Sequence, residues 1–173
     1  MAVPCTRANP PLHAKEPALN LSPNWDYVAD TVMGGVSQGR ARNEEVAGRS
    51  ATRLTGTVSL ENNGGFVQIA SDLADGSDFD ASGYVGIAFD VFGNGETYDL
   101  RVRTRALDRP WQSFRTSFAA PAAWTTVRVP FATLEPYRTS AAFDPQTLRR
   151  IGILAVGRAM QADVAVSSLA LYR

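Results

Sequence analysis

The chain has 173 residues, 45% of them hydrophobic, with 17 basic and 17 acidic side chains that cancel to a formal charge of zero. That is the size of one globular domain able to close a core without disulfides or a structural metal, and its neutrality argues against a general nucleic-acid binder, which is ordinarily a polycation. Cys5 and His13 are the only residues of their kinds and both precede the first patterned segment, so the body offers no thiolate nucleophile, Cys/His zinc site or Ser-His-Asp triad, and no cofactor is expected. Residues 1–22 hold Pro4, Pro10, Pro11 and Pro17 with little periodicity and read as an extended arm, leaving 23–173 as the domain. The start, Met1-Ala2-Val3-Pro4-Cys5, lacks the apolar run of a signal peptide. Nothing later approaches the ~20 apolar residues of a membrane span, so a cytoplasmic protein without membrane insertion is expected. Lys15 is the only lysine in an arginine-rich chain, the bias of a GC-rich, bacterial genome.

From Trp25 onward, short runs rich in β-branched and aromatic residues alternate with Gly, Asn, Asp and Pro, a β texture. Strands are expected over 50–59, 65–70, 85–91, 98–105, 111–118, 125–130, 151–156 and 164–172. In Val85-Gly86-Ile87-Ala88-Phe89-Asp90-Val91 apolar side chains take every second position, as they do from Tyr98 to Val102, and Asn94-Gly95 between them is hairpin chemistry. The spacing predicts a hairpin with Phe89 opposite Leu100 and Ala88 opposite Arg101. The wholly apolar Ile151-Gly152-Ile153-Leu154-Ala155-Val156 predicts a central strand covered on both sides. Asp144-Pro145 starts a short helical turn. Eight or so short strands suggest an antiparallel β-sandwich, a jelly roll in which two sheets enclose one core.

The most distinctive segment runs from Trp25 to Ser37, where Asp30 can accept backbone hydrogen bonds, Met33 offers an apolar anchor and Gly34-Gly35 permit a tight turn leading into a strand. Gly64-Gly65-Phe66, Gly93-Asn94-Gly95, the block Trp124 to Phe131 that includes Pro130, and Pro136-Tyr137-Arg138 follow in order. Together these blocks resemble the family of complex I intermediate-associated protein 30, over about residues 25–171. The resemblance implies a galactose-binding-like jelly roll and a non-enzymatic role in assembling protein complexes. Its partner would be a protein, a subunit of a respiratory or other membrane complex, and its location mitochondrial as an alternative to the bacterial cytoplasm. The third block departs from the family's Arg-Gly-Asp-Gly, being Phe92-Gly93-Asn94-Gly95 here, and Thr139 replaces the glycine that usually follows Arg138.

A partner or ligand surface is sought on the polar side of the strands. If Leu100 and Val102 point inward, Arg101, Arg103 and Arg105 point outward beside the small Gly86 and Ala88, and Trp111, Arg115 and Arg128 extend the face by the same parity. Forked guanidinium contacts there suit an acidic segment, a phosphate or an acidic sugar; a solvated arginine row paired with Asp90 and Asp99 is the plainer reading. A small-ligand or carbohydrate-binding module using these arginines and Trp111 is the alternative function. Trp25 and Trp124 are expected to pack. The acidic run from Asp72 to Asp80 does not fit a calcium loop, and no isolated carboxylate within an apolar strand signals a glycosidase acid.

Overall fold

The computed structural model describes residues 18–173; the first seventeen residues of the proline-rich arm lie outside them. Twelve strands run in chain order: β1 (Ala18–Asn20), β2 (Asp26–Ala29), β3 (Gln38–Val46), β4 (Arg49–Val58), β5 (Phe66–Asp72), β6 (Gly86–Gly93), β7 (Thr97–Thr104), β8 (Ser113–Ala119), β9 (Thr125–Pro130), β10 (Glu135–Tyr137), β11 (Leu148–Val156) and β12 (Met160–Tyr172). They form two six-stranded antiparallel sheets. The first has the order β3-β4-β12-β6-β9, with β1 also on β12, and the second the order β10-β8-β7-β11-β5-β2. Alternation explains the layers: Ile87, Phe89 and Val91 of one sheet and Leu100, Val102, Ile151 and Ile153 of the other are all buried in one core, and the Phe89 and Phe118 rings meet edge-on across it at 5.0 Å. The domain is the β-sandwich jelly roll that its strand pattern predicts.

β11 is the expected central strand, with Ile153 at 0% and, on the other side, Leu154 at 4% exposure. The sequence misses β1, β2 and β10, while β3 is the strand into which the turn before Ser37 leads, its extent not read. Ala18–Asn20 of the predicted arm pairs with Ala170–Tyr172, so the sheets begin before residue 23. The helical turn is present as Pro145–Thr147, with Asp144 accepting the Gln146 N–H.

The predicted hairpin is overturned. Phe89 lies opposite Leu169 and Val127 in the first sheet, whereas Leu100 lies opposite Thr116 and Ile153 in the second. Asn94-Gly95 therefore turns a corner between sheets. Side-by-side pairing would place both buried rows on one sheet, while crossing lets them face each other through the core. The corner is built closely: the Gly93 and Gly95 N–H groups donate to the carbonyls of Pro121 and Ala120, and a Cβ on Gly93 would lie 2.4 Å from that of Ala120. Tyr98 ties the sheets together beside it. Its hydroxyl donates to Asn94 Oδ1 at 2.7 Å and accepts the Asp163 N–H from β12 at 2.9 Å, while burial pushes the phenol up to about 12.

Candidate functional site

Two surfaces stand out, one apolar and one basic. The first grows from Asp30, fully buried in a short 3-10 turn after β2. Its carboxylate accepts the Ser37 hydroxyl at 2.5 Å and the N–H groups of Ser37, Gly65 and Phe66 at 3.0, 2.6 and 3.2 Å. The Ser37 hydroxyl oxygen in turn accepts the Ser59 N–H at 2.9 Å. Burial alone raises the Asp30 pKa, but the hydrogen bonds from Ser37, Gly65 and Phe66 outweigh it and hold the carboxyl below its ordinary value. Gly35 and Gly64 are required here, because a Cβ on either would fall 2.4 to 2.5 Å from the Asp30 carboxyl. One carboxylate thus clamps residues 30–37 to residues 59–66.

The clamped loops present four apolar side chains to solvent, beside the polar Thr31, Glu61, Asn62 and Asn63. Val32 is 74%, Met33 61%, Leu60 51% and Val36 39% exposed. Met33 is therefore no buried anchor, contrary to its expected part: the turn is closed by Asp30, which frees the neighbouring side chains to point outward. Sequence reasoning missed this tip because apolar residues in a glycine-rich turn look like core. The signal was Asp30 itself, which can satisfy the turn without help from Met33.

The basic surface is the outer face of the second sheet. Arg101 on β7 and Arg115 on β8 are cross-strand partners, and Tyr137 on β10 pairs with Ser113. The guanidiniums of Arg115, Arg101 and Arg138 lie 3.9, 5.0 and 5.1 Å from the centroid of the Tyr137 ring, a cation–π cluster. Arg138 takes φ +55°, an uncommon conformation for a side-chain-bearing residue, and its carbonyl accepts from Gln112 Nε2 at 3.3 Å. Arg103, partly buried beside them, donates to the Leu107 carbonyl at 3.3 Å. Burial and then the neighbouring Arg150 lower its pKa. Asp99 holds Arg101 at 3.2 Å and Asp72 holds Arg150 at 2.8 Å. A cleft of about 390 Å³ lined by Asp99, Arg115, Thr116, Ser117, Thr133 and Glu135 opens next to Arg115.

The other expected members of this face are elsewhere. Arg128 is on β9, against Tyr172 at the outer face of the first sheet, because β6 and β7 belong to different sheets; Gly86 and Ala88 are there too, so the predicted groove beside the arginines does not form. Asp90 likewise pairs with Arg49, not with the arginine row. Arg105 follows β7 in a turn and is held by Asp78 at 2.5 Å. Trp111 is exposed, as expected, but lies in the loop before β8 next to Arg109. Trp25 packs against the core, and so does Phe131, whose ring lies 5.2 Å from that of Phe143. Trp124 packs outside it, donating to the Val46 carbonyl at 3.1 Å and meeting the Phe92 ring at 5.7 Å. Pro130 ends β9. Three carboxylates of the acidic run are engaged, Asp72 and Asp78 in ion pairs and Asp80 by accepting the Ser82 N–H. Among the described residues no group of three or more His, Cys, Asp or Glu is placed to hold a metal, and no helix is long and apolar enough to cross a membrane.

The family profile of complex I intermediate-associated protein 30 matches residues 14–165. The chain belongs to this family. Every block of the complex I intermediate-associated protein 30 resemblance falls within that match, and its first two blocks meet at Asp30. No curated protein matches the chain by sequence. Similar solved structures are carbohydrate-binding modules. A family 11 module from Clostridium thermocellum, in complex with a β-1,3-1,4-mixed-linked tetrasaccharide, has a TM-score of 0.72 at 14% identity over 90% of this chain and 95% of its own. A family 30 module has 0.66 at 17% identity over 92% and 89%. An agarase aligns at 0.55 and 10% identity over 79% of this chain and 22% of its own. At these identities the likeness is one of fold.

Proposed function

We propose that this member of the complex I intermediate-associated protein 30 family is a non-enzymatic protein-binding module that assists the assembly or stability of a protein complex. The observation that carries the reading is the exposed tip of Val32, Met33, Val36 and Leu60 on loops fixed by a buried carboxylate. Exposed apolar side chains gathered on adjoining loops suit an interaction site, and a contact surface held rigid in advance loses little freedom on binding. The partner is a protein, a subunit of a respiratory or other membrane complex, met by a cytoplasmic bacterial domain. A photoreactive residue at Met33, with one at the equally exposed Val85 as control, tests this in cells of the source organism. Specific crosslinks from position 33 that vanish in Val32→Asp/Leu60→Asp are expected; identical crosslinks from both positions would remove the reading.

The carbohydrate-binding alternative is supported by the similar modules, whose fold it shares. Against it, the guanidinium of Arg115 at 3.9 Å covers a face of Tyr137 on which a sugar ring would stack. Electrophoresis through gels containing mixed-linked β-glucan separates the two: retardation lost in Trp111→Ala would favour the alternative, and unretarded migration is expected.

A further inference from the structure

Electrostatic pairing on the outer face of the second sheet is incomplete. Several arginines on the strands have a carboxylate within 4.0 Å. Among the described residues, Arg115 and Arg138, both against the Tyr137 ring, and Arg103, which the register sets on the far side of Ser113 from that ring, have none; Arg40, Arg42, Arg109 and Arg173 lack one too, away from this cluster. Glu135 stands directly opposite Arg115 in the strand register and still does not pair with it. A second observation lies under the same cluster. Ser113 is 3% exposed and its hydroxyl has no hydrogen-bond partner, although a buried hydroxyl ordinarily finds one. The register places Ser113 opposite Tyr137 and, one residue beyond the Val102–Phe114 pair, opposite Arg103. Its neighbour Phe114 is buried in the core, so alternation turns Ser113 to the arginine side.

We propose that Arg115 and Arg138 at the Tyr137 ring, together with Arg103 across the Ser113 hydroxyl from it, form a binding site for a phosphate monoester dianion, the ester's organic part occupying the adjoining cleft. A carboxylate brings one charge and two oxygens, enough for one guanidinium fork. A phosphate monoester brings nearly two charges at neutral pH and three acceptor oxygens, which matches three unpaired guanidiniums and one idle hydroxyl. The anion also relieves the repulsion that Arg150 exerts on Arg103. Arg138 adds its guanidinium to the Tyr137 ring that Arg115 and the Asp99-held Arg101 also meet. The site is separate from the apolar tip and does not depend on the protein-binding reading.

Calorimetry on the full chain at constant ionic strength tests the proposal with four probes: inorganic phosphate, glucose 6-phosphate, a Gly-phosphoserine-Gly peptide and Gly-Glu-Gly. Saturable phosphate binding is expected, displaced by either ester and at least tenfold weaker in Arg115→Gln and in Arg138→Gln, both shown to be folded by their NMR spectra. These partly exposed positions avoid the folding risk of replacing Arg103. Tighter binding of the sugar ester identifies a metabolite as the source of the phosphoryl group, and tighter binding of the peptide a phosphorylated protein. Affinity falls as pH is lowered from about 7 to about 5, across the second phosphate pKa of about 6. Absence of binding, equal affinity for Gly-Glu-Gly, or affinities unchanged in both variants would overturn the site.

Discussion

At Asp30 a single side chain fixes two loops with four hydrogen bonds, so its replacement is the most informative test at residue scale. Asp30→Asn keeps the shape but turns an amide N–H₂ toward donors, and is expected to cost roughly 2–3 kcal/mol in urea unfolding. The pH dependence has a definite sign. Because the folded pKa is held below the ordinary 3.8, the clamp contributes fully above that value and is lost as pH falls through the folded pKa. The wild type should therefore lose stability below about pH 4 more steeply than Asp30→Asn; parallel curves would deny the carboxylate its role. Asp30 as a backbone acceptor was legible in the sequence, whereas the exposure of Met33 was not. Apolar residues are usually inside but nothing obliges them to be, and only the geometry of the clamp reveals that this turn closes without them.

Among the elements, alternation along a strand tells which residues share a face and leaves open which strand lies beside it. That is why β6 and β7 were recognised and their pairing was not: both show clean period-2 patterns, and Asn94-Gly95 suits a corner as well as a hairpin. The extent of β3 is not legible because its residues are mostly exposed, giving no buried row to read, and β10 is missed because three residues are too few for a period. Tyr98 checks the corner experimentally. Tyr98→Phe keeps the ring while removing the hydroxyl's bonds to the corner at Asn94 and to the facing sheet at Asp163, and about 1–2 kcal/mol should be lost in chemical denaturation because the Asp163 N–H is left without its acceptor. An unchanged midpoint would mean that the corner stands without this link.

Across the whole molecule the candidate surfaces are distributed, which makes them separable. Val32→Asp and Leu60→Asp alter exposed side chains outside the core, so the thermal midpoint should move by no more than the equivalent of about 0.5 kcal/mol; a large fall would show the tip to be structural. Parity reading found Arg101, Arg103 and Arg115, which one sheet does bring together, and it named Arg138 only through the family block. It could not place Arg128, since an outward direction is defined only once the sheet is known. Neither could it see Tyr137 as the centre, because β10 and β8 are distant in sequence and meet only through the fold.

Ala18 pairs with Tyr172, so among the described residues the first and last strands lie side by side with their outer ends at neighbouring points. A unit wired in this way can be spliced into a loop of a host protein through two short connectors, hanging from it like a pendant while the host's own fold continues almost uninterrupted. Joining the two points and reopening the ring at Asp75–Gly76, in the loop after β5, should then yield a permuted protein with the same spectrum and the same cooperative melt. Transplanting the unit between hosts needs no redesign of its interior.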